Sequence, residues 1–105
     1  MPKPKLDPLP SAAFHILLAL AGDDLHGYAI MREVAALTNG RMRLGPGTLY
    51  GSIKTLLEAG LIAELEREDR RRYYRLTPAG RKLAKAEAVR LADTLQAARV
   101  KKIYA

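Results

Sequence analysis

Apolar residues along this chain recur first at helical spacing, then in alternation, then at helical spacing again. Leu9, Ala13, Ile16, Leu17 and Leu20 share one face of a first helix running to about Ala21. Asp7-Pro8 and Ser11 are its candidate N-caps, and Gly22 with Asp23-Asp24 supplies the stop and turn. A second helix opens at His26-Gly27 and runs to about Thr38, with Ile30, Val34 and Leu37 as its buried stripe and Asn39-Gly40 as its end. Residues 41–46 lead into a third helix, which Gly45-Pro46-Gly47 begins because proline suits the first turn. Leu49, Ile53, Leu56 and Leu57 form its inner stripe to about Ala59, and Gly60 is a strong stop.

After Gly60 the period becomes two. Leu61, Ala63 and Leu65 alternate with Ile62, Glu64 and Glu66, and Arg72, Tyr74 and Leu76 with Tyr73 and Arg75. Two short strands around a polar turn make a β-hairpin. Thr77-Pro78 then caps and opens a fourth helix, expected to reach Tyr104. Within it, Ala84, Ala88, Leu91, Leu95 and Ala98 are spaced alternately four and three, a coiled-coil-like seam. Val89, Ala92, Val100 and Ile103 widen that seam, while Leu83 is expected to touch the preceding domain. Three helices, a hairpin and a final helix is the order of a winged helix-turn-helix. The expected fold is mainly α with a small β-hairpin. Residues 1–7 form a flexible basic arm, 8–77 the winged helix-turn-helix domain and 78–105 a C-terminal dimerisation helix.

Composition narrows the class. A chain of 105 residues that is 49% apolar is one domain with one modest core. With one Phe, no Trp and five Tyr, that core is aliphatic. The absence of cysteine removes disulfides and thiolate metal sites. The net charge is +7, and 11 of the 18 basic residues are Arg, which favours polyanionic partners, nucleic acid before anionic membrane. No apolar run approaches the ~20 residues needed to span a bilayer. Phe14–Ala21 reads as a core helix rather than a signal-peptide core, and the expected location is cytoplasmic.

With its core stripe turned inward, the third helix presents Gly47, Thr48, Gly51, Lys54 and Thr55 outward, with Tyr50 and Ser52 on its flanks. Small, hydroxyl-bearing and basic residues suit close approach to a major groove. An ordinary solvated face would carry more Glu and Lys and would avoid a mid-helix glycine. The hairpin tip, Arg67-Glu-Asp-Arg-Arg-Arg72, supplies Arg70, Arg71 and Arg72 as a basic turn for phosphates or the minor groove. As a plain charged turn it would be solvated and partly neutralised by Glu68 and Asp69. Arg41 and Arg43, just before the third helix, are further phosphate candidates. Tyr73 and Tyr74 divide between wing surface and core. His15 and His26 lack Cys, Asp or Glu partners at ligand spacing, so no metal, cofactor or catalytic group is expected.

His26-Gly-Tyr28, Gly45-Pro-Gly-Thr-Leu-Tyr50, Leu56-Leu-Glu-Ala-Gly-Leu-Ile62 and Arg71-Arg-Tyr-Tyr-Arg-Leu-Thr-Pro-Ala-Gly80 resemble, in order and spacing, the PadR-like transcriptional regulators. The resemblance covers about residues 9–82. It implies that the helix carrying Gly47-Thr-Leu-Tyr50 reads DNA through Thr48, Tyr50, Ser52 and Lys54, and that the last helix joins two copies. It further implies a small-molecule effector, unidentified here, held between subunits. Relatives stack an aromatic residue of the last helix on such a ligand; this chain has no Trp, and its last helix is aliphatic up to Tyr104. The expected function is a homodimeric, sequence-specific DNA-binding repressor on a palindromic operator. The alternatives are a winged-helix protein-interaction module and a non-specific nucleic-acid-binding protein.

Overall fold

The computed structural model describes residue 6 and residues 8–105. The basic arm, and with it the Asp7 cap, lies outside the described residues except for Leu6, which packs partly buried against the core. The elements are α1 (Ser11–Leu20), β1 (Leu25–His26), α2 (Gly27–Leu37), α3 (Pro46–Glu58), β2 (Ile62–Glu66), β3 (Arg72–Leu76) and α4 (Pro78–Val100).

The core is built around α1. The expected stripe of Leu9, Ala13, Ile16, Leu17 and Leu20 is buried, and so are Phe14 and Ala19. A helix apolar on nearly every side must be enclosed, and α2, α3, α4 and β3 all pack on it. Ser11 is the first helical residue rather than the cap. Pro10 occupies the cap position with no side-chain bond, and its carbonyl accepts from Phe14 N–H at 2.9 Å.

The second and third helices add Ile30 and Val34, and Leu49, Ile53 and Leu56. Leu37 departs from the expected stripe. It is the last residue of α2, past the edge of the core, and is 47% exposed. The chain then reverses through Asn39 (φ 53°) and Gly40 (φ 77°). His26 starts α2 as expected, with its Nδ1 accepting from Ala29 N–H at 3.3 Å.

The hairpin is two-thirds of a larger sheet. Leu25 pairs with Tyr74 and His26 with Tyr73, giving three antiparallel strands in the order β1-β3-β2. Two residues are too few to show a period, so β1 carries no sequence signal of its own. Strand parity also differs from the expected alternation. Ile62 faces the core opposite Leu76, whereas Ala63 lies exposed opposite Arg75. Leu61 is buried too, because it precedes the strand and is not bound by its pleat. Tyr74 is the core tyrosine and Tyr73 the surface one.

Gly60 (φ 73°) ends α3 as expected. The next turn and the start of α4 are tied to that point. Thr77 N–H donates to the Leu61 carbonyl at 3.2 Å, and Thr77 Oγ1 donates to the Gly60 carbonyl at 2.8 Å. The same Oγ1 accepts from Gly80 N–H at 3.1 Å, which is the N-cap of α4. At its far end α4 stops at Val100, short of Tyr104. Lys102 takes a left-handed conformation (φ 61°), and Ile103 N–H returns to the Ala98 carbonyl at 2.9 Å, closing the helix without a glycine.

Gly80 is required for this junction, since a Cβ there would run into the Leu61 carbonyl oxygen and the Leu76 side chain. Gly80→Ala is therefore expected to cost about 1–3 kcal/mol, the usual penalty for overpacking. Chemical denaturation checks it; an unchanged midpoint would show that the junction gives way at no cost.

Candidate nucleic-acid interface

The core stripe of α3 fixes what its other side shows. Leu49 and Leu56 are fully enclosed, which leaves Gly47, Thr48, Tyr50, Gly51 and Lys54 exposed. Ideal Cβ atoms placed on Gly47 and Gly51 meet nothing within 4 Å, so both glycines front open space. Ser52 and Thr55 are half-buried on the flank toward α1, beside Leu6, Pro10 and Ala13. Thr55 Oγ1 already donates to the Gly51 carbonyl at 3.2 Å.

Tyr50 leans from α3 toward α2. Its ring stands over Gly27, where a Cβ would sit 2.5 Å from the Tyr50 hydroxyl oxygen. The glycine of His26-Gly-Tyr28 is thus the seat for Tyr50, and side-chain loss at position 27 brings the two helices together. The ring keeps 52% of its surface exposed. Tyr28 is 64% exposed, and the Arg32 guanidinium lies 5.9 Å from its ring centroid.

These residues open onto a cleft of about 520 Å³ lined by His26, Gly27, Tyr28, Tyr50, Arg71, Arg72 and Tyr74. It joins the start of α2, the start of α3 and the wing. Arg71 Nη1 lies 3.1 Å from His26 Nε2. His26 Nδ1 accepts from Ala29 N–H, so the one imidazole ties the start of α2 to the Arg71 guanidinium at the cleft mouth. Burial pushes the Tyr74 hydroxyl above its ordinary range, so it stays protonated.

The wing tip is a three-residue loop, Glu68–Asp69–Arg70. Arg70 N–H donates to the Arg67 carbonyl at 2.9 Å, and Arg67 N–H donates to the Arg71 carbonyl at 3.4 Å. Asp69 organises it by accepting from Arg71 N–H at 3.0 Å and from the Tyr73 hydroxyl at 2.9 Å. The Arg71 backbone bond, aided by Tyr73, holds the Asp69 carboxyl below its usual range, while the bond to Asp69 raises the Tyr73 phenol. Arg70 sits in the left-handed region (φ 64°), where such loops normally place glycine. It makes no ion pair among the described residues. Arg72 reaches Glu64 at 3.6 Å.

Two other wing arginines turn the opposite way. Arg67 Nη2 donates to Asp24 Oδ2 at 3.1 Å, and Arg75 reaches the same carboxylate through Nη2 at 2.7 Å and Nε at 3.2 Å. The hydrogen bond from Arg75 is the main reason the Asp24 carboxyl falls below its ordinary range, and the nearby Arg67 charge adds to it. Arg67 also covers the Tyr73 ring at 4.7 Å.

Arg41 and Arg43 are exposed in the loop before α3, and Arg43 borders a shallow hollow with Tyr28 and Arg32. The α3 face, the cleft and the wing arginines are thus brought together, with Arg41 and Arg43 beyond the start of α3. Sequence reasoning on sites passed over Tyr28 and Asp24. The first had a signal, since it stands in the His26-Gly-Tyr28 motif. The second had none, because its partners lie 43 and 51 residues away.

The seam residues of α4 are divided. Ala84 packs with Leu83 against the core of its own domain. Ala88 is exposed, Leu91 and Leu95 are 41% and 40% exposed, and Ala98 is half-buried. Between Ala84 and Ala88, Glu87 is buried and accepts a two-pronged bond from Arg90, at 2.8 and 2.6 Å, which holds its pKa below the usual carboxylate range.

Comparison with known proteins agrees with this geometry. The chain is 45% identical over 73 residues to an uncharacterized 37.1 kDa protein in transposon TN4556 of Streptomyces fradiae; the match takes in 70% of this chain and 21% of the relative, so the chain spans about a fifth of that protein's length. A transcriptional regulator from Clostridium thermocellum superposes with a TM-score of 0.76 at 29% identity, covering 84% of this chain and 86% of that one. A PadR family transcription regulator from Clostridium difficile shares the fold with a TM-score of 0.77 at 21% identity, over 86% of this chain and 96% of its own. Residues 16–86 match the model of the transcriptional regulator PadR-like family, a family of regulators rather than enzymes, and the chain, with its winged-helix fold, belongs to that family.

Proposed function

We propose that this protein is a sequence-specific DNA-binding regulator that represses transcription as a homodimer on a palindromic operator. The observation that carries the reading is the open outward face of α3, with glycines fronting free space beside the arginine-lined cleft. Gly47, Thr48, Gly51 and Lys54 enter the major groove. Tyr50, Arg71 and Arg72 hold phosphates at the cleft, with Ser52 and Thr55 on the flank and Arg41 and Arg43 farther along the backbone.

The wing supports this reading through its strain. A non-glycine residue in the left-handed region costs about 1–2 kcal/mol, and Arg70 accepts that cost at the tip of the wing. Gly51 is the converse case, a mid-helix glycine that loses about 0.5–1 kcal/mol relative to Ala with no steric need for it inside the protein. Both departures are explained by an external partner.

A second copy covers α4. Leu91 and Leu95 leave an apolar surface on a helix of 23 residues, about 35 Å long, while Ala88 and Ala98 on the same face allow close approach. Two α3 helices then meet successive major grooves about 34–36 Å apart. An effector held between the copies would meet aliphatic side chains and, at the end, Tyr104. Among the described residues no helix is long and apolar enough to cross a membrane, which accords with a cytoplasmic regulator.

Selection of bound sequences from random duplex DNA is expected to return an inverted repeat with that half-site spacing. About eight phosphate contacts per dimer give a log–log salt slope near −7. Recovery of no preferred sequence would leave only a non-specific binder, and no binding at low salt would turn the reading to a protein-interaction module.

Gly51→Ala and Arg70→Gly should each raise stability, by about 0.5–1 and about 1 kcal/mol, yet each should weaken operator binding. Thermal melts beside titrations with operator duplex check both halves, and improved stability with unchanged affinity would remove these positions from the interface. Replacing Leu91 and Leu95 together with Glu should yield a helical monomer with much weaker operator binding. Sedimentation that still shows a dimer would move the contact elsewhere.

A further inference from the structure

Five arginines stand on or beside the wing, yet they are not equivalent. Arg70, Arg71 and Arg72 occupy the tip and the first position of β3. Arg67 and Arg75 converge on Asp24, a residue of the turn between α1 and β1. Along β3, side chains alternate between faces. Tyr74 points to the core and Arg72 shares its side, which borders the cleft beside α3. Tyr73 and Arg75 lie on the other side, where Asp24 sits.

The Asp24 carboxylate is 18% exposed and receives three short contacts from Arg75 and one from Arg67. Charge-assisted bonds of this kind are the strong ones. A DNA phosphate seeking either guanidinium must compete with a carboxylate that already neutralises it and fixes where it points. We infer that Asp24 is a positioning residue that limits the sequence-independent affinity of the interface: it holds Arg67 and Arg75 away from the phosphate backbone and holds the wing so that only the tip arginines meet DNA. Phosphate contacts add affinity without reading sequence. A wing with two more available arginines would bind every duplex more tightly, by a similar factor for each.

A purely structural Asp24 would fasten the wing and nothing more. The two roles separate in salt dependence, since each phosphate contact contributes about 0.9 to the log–log slope. This inference rests on the DNA-binding reading above, so the wild-type protein is measured first; failure to bind any duplex ends that reading before Asp24 is tested. Binding to the selected operator and to an unrelated duplex is then titrated against salt for wild type, Asp24→Asn, Arg67→Ala/Arg75→Ala and the triple variant.

Asp24→Asn should steepen the slope by up to about two per protomer. It should tighten binding to the operator and to the unrelated duplex by a similar factor. Arg67→Ala/Arg75→Ala should leave the wild-type slope unchanged, and the triple variant should return to it. If the double variant loses slope on its own, the two arginines already touch phosphate and the inference is overturned. An Asp24→Asn protein that melts earlier with an unchanged slope would overturn it equally. Should Asp24→Asn fail to fold, the double variant alone decides.

Discussion

The winged-helix geometry depends on one crossing of backbone, where the end of α3 meets the start of α4. Gly60 turns the chain at φ 73°, and the carbonyls of Gly60 and Leu61 are then claimed by the hydroxyl and amide of Thr77. Gly80 lies so close to the Leu61 carbonyl that no side chain fits between. One small patch therefore sets where α3 ends, where both long strands begin and finish, and which way α4 leaves. Because each bond is made by backbone or by a short hydroxyl, the relative placement of α3 and the wing tolerates little variation.

From that junction α3 serves two demands. Its inner side must fill the space against α1, which Leu49, Ile53 and Leu56 do, burying the large apolar area that drives folding. Its outer side is then relieved of packing, and Gly47, Thr48, Gly51 and Lys54 stand exposed there. Tyr50 links the two demands. Its ring rests in the space that Gly27 leaves, so the same contact that aligns α2 with α3 also sets a phenol at the mouth of the cleft.

Most of this was legible in the sequence wherever a local rule decided it. Proline at the first turn of α3, the Gly60 stop and the Thr77 cap each depend on neighbours within a few residues. The fold misses share a different cause. Leu37 fits the helical period yet lies beyond the core that would cover it. The strand β1 is two residues long and exists only because β3 passes beside it. The end of α4 at Val100 comes from Lys102 in a left-handed conformation, with no glycine to announce it. The site shows the same division. The α3 face followed from the inner stripe by subtraction, whereas the Gly27–Tyr50 contact and the Asp24 cluster depend on residues brought together across the fold.

Three features work against the stability of the isolated domain: a glycine inside α3, an arginine in a glycine's conformation at the wing tip, and an apolar face on α4. Taken singly, each has an ordinary explanation in drift or tolerance. Their placement argues otherwise. Gly51 stands on the exposed face of α3 and Arg70 at the tip of the wing, and the α4 surface is the part of the chain that could set two such faces at a fixed separation. Natural sequences relax local rules chiefly where function demands it. The proposed polyanionic partner, met twice by a paired protein, would account for all three departures at once.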